Sequence, residues 1–166
     1  MSSVRLATPD DAAAIAAVLQ VIVSERVHSA IDRAWTADEE RAYLTSLSSR
    51  EVVHVAIDGD RIVGLQVLDH WSTLESMAHV GQVGTFILPS HRRRGLGHTL
   101  WAATAASARV AGYRKLVIQV RGKNEAAQAF YRTLGFRECG RLAGQVVIDG
   151  VEEDELLMEW FPEATS

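Results

Sequence analysis

The stretch Pro89-Ser90-His91-Arg92-Arg93-Arg94-Gly95-Leu96-Gly97-His98 lies between a predicted strand and a predicted helix. The free N–H groups and the dipole at the start of a helix attract anions, and glycine lets a ligand approach the backbone closely. The arginines add charged donors that suit phosphate oxygens. This turn therefore indicates a site for a nucleic acid, a dinucleotide or another phosphate-bearing ligand.

Two of these ligand classes fit the rest of the chain poorly. A dinucleotide site needs a third glycine after Gly95 and Gly97, and an acid on the next strand roughly 20 residues on, where this chain has Gln119. No Gly-Lys-Ser/Thr follows the turn, which excludes a P-loop. A net charge of −4 and a lack of interleaved aromatic residues argue against nucleic acid. We expect no nucleic-acid partner.

The composition predicts a single domain over residues 1–166. Of the 166 residues, 48% are hydrophobic and 23% are charged, which suits one sizeable core. The single cysteine, Cys139, excludes an internal disulfide framework and a cysteine-based metal cluster, and it is compatible with a reducing compartment. No apolar run approaches the roughly 20 residues that a membrane span needs. We expect a cytoplasmic protein with no secretory signal and no membrane partner.

The pattern of apolar residues and turn signals predicts eleven elements in the order β-α-α-β-β-β-α-β-α-β-β. Thr8 and Thr36 are each followed by acids in a first helical turn, and Asn124 precedes another helix, as N-caps do. The predicted strands cover residues 4–7, 51–57, 61–68, 79–88, 115–120, 136–148 and 153–161. The predicted helices cover 12–23, 37–47, 95–111 and 125–134. This order indicates a mixed α/β domain with a parallel crossover around the arginine-glycine turn.

The segment Thr85-Phe86-Ile87-Leu88-Pro89, followed by Arg92-x-x-Gly95-x-Gly97, resembles motif A of the GCN5-related N-acetyltransferase (GNAT) family. Asn124, Ala127, Phe130-Tyr131 and Gly135-Phe136 follow in the order and spacing of that family's downstream segment. The first strand and residues 150–158 are also similar to the family, so the resemblance covers nearly the whole chain. It implies a single-domain fold with a mixed, mostly antiparallel sheet, splayed between two parallel central strands and flanked by helices.

The resemblance also implies an acetyl-CoA site in the opening of the sheet, without a metal. Backbone groups of Thr85, Phe86 and Ile87 would align the acetyl-pantetheine arm. The pyrophosphate would lie against the turn, with Arg92 at the family's Gln/Arg position and Asn124 contacting the coenzyme; the turn residues are Arg93, Arg94, Gly95, Leu96, Gly97 and His98. By the same resemblance, Tyr131 occupies the position of a general acid for the coenzyme thiolate, and it would also contact the coenzyme.

The general base and the acceptor are less specified by the sequence. Many relatives carry a glutamate on the strand before motif A, but this chain has none there. His79 and Glu75 are the candidate bases, and direct attack by a neutral amine through a water relay stays open. Trp35, Trp71 and Glu75 can form an aromatic and acidic pocket for a cationic amine, although both tryptophans can equally belong to the core.

These residues predict an enzyme that transfers acetyl from acetyl-CoA to a primary amine of a small molecule, such as an amino acid or a polyamine. Two alternatives stay open, a non-catalytic acyl-CoA sensor and a protein N-terminal acetyltransferase. The resemblance is compatible with a homodimer.

Overall fold

A computed structural model describes residues 1–163, and within them the elements follow the predicted order. The strands are β1 (Ser2–Leu6), β2 (Val52–Asp58), β3 (Arg61–His70), β4 (Val80–Ile87), β5 (Lys115–Arg121), β6 (Arg137–Ile148) and β7 (Val151–Trp160). The α-helices are α1 (Ala12–Glu25), α2 (Ala37–Ser46), α3 (Leu96–Val110) and α4 (Glu125–Thr133). Short 3-10 turns precede α1, β4 and α3.

The helix starts follow their capping residues. At α2 the Glu39 N–H donates to Thr36 Oγ1 at 3.2 Å, and the Thr36 N–H donates to a Glu39 carboxylate oxygen at 2.8 Å. This reciprocal pair satisfies two N–H groups that the helix itself cannot bond. Before α1 the Thr8 N–H donates to the Asp11 carboxylate at 2.8 Å, and the first turn is a 3-10 turn. Among residues 1–163, no helix combines the length and apolarity needed to cross a bilayer.

The sheet has the strand order β1-β2-β3-β4-β5-β7-β6. All neighbouring pairs are antiparallel except β4 and β5, which run parallel. These two central strands share only three register pairs, from Val80 with Lys115 to Gln82 with Val117. Beyond that point the strands separate. The predicted splayed, mixed sheet is therefore confirmed.

The two faces of the sheet carry separate hydrophobic clusters. Leu65 on β3 packs with α1 and α2, whereas Leu68, three residues on, packs with α3 and α4. Because successive side chains of a strand point to opposite faces, odd and even positions in this part of β3 belong to different layers. Trp101 of α3 lies in the second cluster, as predicted. We call the two sides of the sheet the α1/α2 face and the α3/α4 face.

Candidate active site

A cavity of about 1000 Å³ lies at the opening between β4 and β5. Its lining includes residues 82–87 of β4 and, across the opening, Val117, Gln119 and Val120 of β5. On one face of the sheet it reaches α4, and on the other face it reaches α1 and α2. The cavity therefore connects the two faces through the gap where the parallel strands have separated.

The turn between β4 and α3 lines one end of this cavity and leaves backbone N–H groups free. Arg93 (φ 61°) and Gly95 (φ 81°) both adopt left-handed conformations, which bend the turn sharply before α3 begins. Within residues 1–163, the N–H groups of residues 93–97 donate to no acceptor. Free donors in such a turn, together with the positive end of α3, form a site suited to an anion.

The start of α3 packs directly against α4. A Cβ added to Gly97 would lie 2.8 Å from Cζ of Phe130, so only glycine allows this close approach. The Phe130 ring also contacts the rings of His98 and Tyr131, with centroids 5.3 Å and 5.2 Å apart. The Phe130 side chain thus packs between Gly97, at the start of α3, and the ring of Tyr131.

Arg92 is held by protein groups on all three of its guanidinium nitrogens. Its Nε donates to the carbonyl of Ile87 at 2.9 Å, and its two terminal nitrogens donate to the Glu25 carboxylate at 2.9 Å and 2.6 Å. The guanidinium lowers the pKa of Glu25. Arg92 lines the cavity, but its contacts fasten the turn to the end of α1. Arg93 also lines the cavity and has an exposed side chain.

Tyr131 places its hydroxyl at the opening of the sheet. The hydroxyl donates to Thr85 Oγ1 at 2.8 Å, and Nε2 of the buried Gln66 donates to the same oxygen at 2.8 Å. Burial raises the pKa of Tyr131 to about 12, so the phenol keeps its proton at neutral pH. The Oε1 atom of Gln66 has no hydrogen-bond partner within the described residues. Thr85 and Gln66 therefore orient a protonated phenol beside β4.

Arg121 connects β5 to the loop between α1 and α2. Its Nη1 donates to the carbonyls of Arg26 at 2.8 Å and Ser29 at 3.3 Å, while its Nε donates to Glu153 at 3.0 Å. Arg121 and Glu153 are 5% and 7% exposed, so the pair is largely removed from water. This contact fixes the loop at the edge of the cavity.

Asn124 has two structural contacts. Its Oδ1 accepts the N–H of Ala127 at 3.1 Å, which caps α4, and its Nδ2 donates to the carbonyl of His28 at 3.3 Å. The residue also lines the cavity, on the side of the α1–α2 loop. The predicted N-cap is confirmed, and the predicted coenzyme contact stays a prediction.

Polar side chains of four adjacent strands line the α1/α2 face of the cavity. Asp69 of β3 lies directly opposite Gln82 of β4 in the register. Beyond the opening, Gln119 of β5 donates to the carboxylate of Glu155 on β7 at 3.0 Å. Burial raises the pKa of both Asp69 and Glu155 above the ordinary range. This half of the cavity is polar and rich in carboxyl groups.

The helix α2 adds another carboxyl group and an aromatic pair to this face. Glu40 is 3% exposed, and burial together with the charge of Glu39 raises its pKa to about 7. The Tyr43 hydroxyl donates to Asp69 at 2.5 Å. The Trp35 ring meets the Tyr43 ring edge-on, with centroids 5.4 Å apart, and it is 44% exposed. Trp35 therefore lies at the rim of the cavity. Of its two predicted positions, in a pocket or in the core, the structure shows the first.

The two candidate bases do not line this cavity. His79 immediately precedes β4, and its carbonyl accepts the N–H groups of Arg114 and Lys115 at the end where β4 and β5 are still paired. Glu75 lies in an exposed 3-10 turn. Trp71, predicted to join Trp35, is also outside the lining. The long loop after β3 leads these residues away from the opening, so the structure does not bring them to Tyr131.

The predicted coenzyme residues are brought together with two exceptions. Arg94 is exposed and outside the cavity lining, and Leu96 is buried in a core cluster with Leu100. The others line the cavity: Thr85, Phe86, Ile87, Arg92, Arg93, Gly95, Gly97, His98, Asn124 and Tyr131.

Three cavity carboxyl groups were missed by the sequence reasoning: Glu40, Asp69 and Glu155. Leu65, Val67 and Asp69 occupy alternate positions of β3 and so point to the same face of the sheet. A carboxyl group after two apolar residues on a buried face is a signal that could have indicated a functional residue. Glu155 is separated by one residue from Glu153, and nothing local distinguishes it. Glu40 follows two acids, Asp38 and Glu39, at an apparently solvated helix start.

Comparison with known proteins agrees with this geometry. The model of the acetyltransferase (GNAT) family matches residues 17–136. The chain belongs to the GNAT family. It is accordingly an acetyltransferase. No curated protein matches the chain significantly.

Solved structures share the whole fold of this GNAT chain at low sequence identity. The protein yncA of Salmonella typhimurium, solved with its cofactor acetyl-CoA, has a TM-score of 0.92 and 20% identity, over 100% of this chain and 96% of its own. A phosphinothricin acetyltransferase of Sinorhizobium meliloti in complex with acetyl-CoA has a TM-score of 0.91 and 18% identity, over 99% and 92%. A ribosomal-protein-alanine N-acetyltransferase of Brucella melitensis has a TM-score of 0.88 and 24% identity, over 96% and 99%.

Proposed function

We propose that the chain transfers the acetyl group of acetyl-CoA directly to a primary amine of a small molecule, within a ternary complex. One observation carries the proposal. A single cavity joins the anion-suited turn, the Tyr131 hydroxyl and a carboxyl-rich face through the opening of the sheet. A donor on one face and an acceptor on the other meet at that opening, which is the arrangement that direct transfer needs.

The donor half suits coenzyme A. The free N–H groups of residues 93–97 would bind the pyrophosphate, with Arg93 as the free guanidinium at the rim. Residues 85–87 of β4 lie beyond its pairing with β5, so their edge is open for the pantetheine arm to lie alongside as an added strand. The presence of acetyl-CoA in two solved structures of the same fold supports acetyl-CoA as the donor.

The chemistry at the opening requires one proton donor. The neutral amine attacks the thioester carbonyl carbon, and the tetrahedral oxyanion collapses as the C–S bond breaks. The thiolate takes the hydroxyl proton of Tyr131, and the proton lost by the amine returns to the tyrosinate through water. Acetyl-CoA and the amine thus give the acetamide and coenzyme A. The water route is proposed because neither His79 nor Glu75 lines the cavity.

Replacing Tyr131 with phenylalanine tests the proposal. We expect kcat to fall about 100-fold because the proton donor is lost, while the KM for acetyl-CoA changes little. Tyr113→Phe is the matched control, since its buried hydroxyl bonds His70 Nδ1 at 3.1 Å outside the cavity lining. Rates would be measured with acetyl-CoA over a panel of small amines and N-terminal peptides.

Two outcomes would contradict the proposal. Tight acetyl-CoA binding without turnover on any amine or peptide would support the acyl-CoA sensor. Turnover confined to peptide N-termini would support a protein N-terminal acetyltransferase. The cytoplasmic location, the absence of a metal and the homodimer stay predictions, and light scattering tests the last of these.

A further inference from the structure

We infer that the acceptor is a linear diamine or polyamine without a carboxylate, whose second ammonium is bound by the carboxyl groups of the α1/α2 face. This inference rests on the proposed function and names its substrate class. The carboxyl groups are those of Glu40, Asp69 and Glu155, which line the same cavity on the side away from α4.

The first argument is that the carboxyl group of Glu40 faces the cavity without a partner among residues 1–163. Its side chain is 3% exposed and lines the cavity, yet it has no hydrogen bond or ion pair among residues 1–163. A buried carboxyl group costs free energy unless a donor or a cation satisfies it. The adjacent acid Glu39 accepts two hydrogen bonds from Arg33, whereas the side chain of Glu40 lines the cavity. An ammonium group in the cavity would supply the missing partner.

The second argument is the balance of charge on this face. Three of the four arginines that line the cavity are engaged by carboxylates outside the trio, and the fourth, Arg93, lies in the turn before α3. Arg33 pairs with Glu39 at 2.8 Å, Arg92 with Glu25, and Arg121 with Glu153. Among the described residues, none of the three cavity acids has an ion pair of its own. A carboxylate on the acceptor would meet repulsion here, whereas a second ammonium would be attracted.

The third argument is the aromatic rim. Trp35 and Tyr43 line the cavity beside Glu40 and Asp69, with Tyr43 bonded to Asp69. Aromatic faces bind both methylene chains and ammonium groups, the latter by cation–π attraction. A chain of methylenes that ends in an ammonium therefore matches the rim as well as the acids.

The fourth argument is the elongated shape of the site. Asp69 lies opposite Gln82, where β4 and β5 are still paired, whereas Glu155 lies opposite Arg121, four residues beyond Val117 on β5. At about 3.3 Å per residue, the two acids are spread over about 13 Å along the strands. A linear chain that carries a second ammonium suits acids spread in this way.

Three amines that differ by one group test the inference at pH 8. Cadaverine has two amines on five methylenes, lysine adds a carboxylate to it, and pentylamine lacks the second amine. We expect kcat/KM with acetyl-CoA to be at least tenfold higher for cadaverine than for either of the others. Equal or higher values for lysine or pentylamine would overturn the inference, while leaving acetyl transfer to amines intact.

Variants assign the effect to the acids. Glu40→Gln, Asp69→Asn and Glu155→Gln should each raise the KM for cadaverine at least fivefold, and by a larger factor than they raise the KM for pentylamine. Asp38→Asn, which removes an exposed charge from the same helix as Glu40, is the control. An unchanged KM for cadaverine in all three variants would overturn the inference.

Calorimetric binding separates this inference from the proposed function. If no amine is acetylated, binding of cadaverine with no binding of lysine would support the dication site while refuting acetyl transfer. Absence of cadaverine binding, or equal binding of lysine, would overturn the dication site.

Discussion

At the scale of single residues, the cavity buries a carboxyl group at a cost to stability. Glu40 is 3% exposed, and its pKa is raised from 4.5 to about 7 by burial and the charge of Glu39. Between these two pH values the folded state holds a proton that the unfolded state has released. The free energy of unfolding therefore falls as the pH rises through this window, and the loss is complete above it.

Glu40→Gln should remove this pH dependence. Because glutamine is neutral at every pH, we expect the variant to match the wild type near pH 4 and to exceed its free energy of unfolding by about 1–2 kcal/mol at pH 8, since water in the cavity screens part of the charge. Urea denaturation at the two pH values measures the difference. Asp38→Asn serves as the exposed control, and a Glu40→Gln variant that is less stable than the wild type at pH 8 would contradict the prediction.

The anion-suited turn was predictable at the residue scale, and the carboxyl-rich face of the cavity was not. Residues 92–98 are contiguous, and their glycines and positive charges indicate an anion site from the sequence alone. Glu40, Asp69 and Glu155 come from three distant elements. Glu155 joins the other two in the cavity only because β7, and not β6, lies next to β5. The alternation of a hairpin cannot specify which of its strands is the inner one.

At the scale of elements, the helix starts and strands followed their local signals. The Thr36 capping box, the Asn124 N-cap and the hairpin turns at Gly59 and Gly150 are all present. Local hydrogen bonding and backbone preference decide such features, so the sequence specifies them directly. The packing of α3 against α4 is different, because it depends on a tertiary contact between Gly97 and Phe130.

Gly97→Ala should disturb this packing, and Gly95→Ala should not. The new Cβ at 97 would lie 2.8 Å from the Phe130 ring, whereas at 95 it meets nothing within 4 Å and costs only backbone strain. We expect each variant to lose about 1–3 kcal/mol of stability. Adding Phe130→Leu should restore at least half of the loss at position 97 and none at position 95. Equal rescue in both backgrounds, measured by denaturant unfolding, would refute the packing explanation.

At the scale of the whole molecule, two halves of the sheet meet at a narrow joint. Only three register pairs join β4 to β5, so other contacts must hold the halves together. Arg121 of β5 reaches the carbonyls of Arg26 and Ser29, more than 90 positions earlier in the chain. Its partner Glu153 is buried beside it. This long-range contact could not be predicted from the sequence, since a basic residue at the end of a strand has no local signature.

Arg121→Met should destabilise the protein by about 3 kcal/mol, because it leaves Glu153 buried with only Lys123, 3.6 Å away, as a cation. The double variant Arg121→Met/Glu153→Gln should recover part of that loss, since no buried charge remains. Urea unfolding of the two variants tests this. A double variant no more stable than the single one would show that Arg121 acts mainly through the loop carbonyls.

Because the sheet separates the two faces of the cavity, substitutions on one face should have little effect on the other. The turn at 92–98 and α4 form one part of the cavity wall, and α1, α2 and their connecting loop form another. Substitutions at distant, unconnected sites have nearly independent effects. Under the proposed function, changes at positions such as 35, 40 and 69 should therefore alter which amine is accepted while they leave acetyl-CoA binding unchanged. The same division makes these positions the natural starting point for laboratory evolution toward other acceptors.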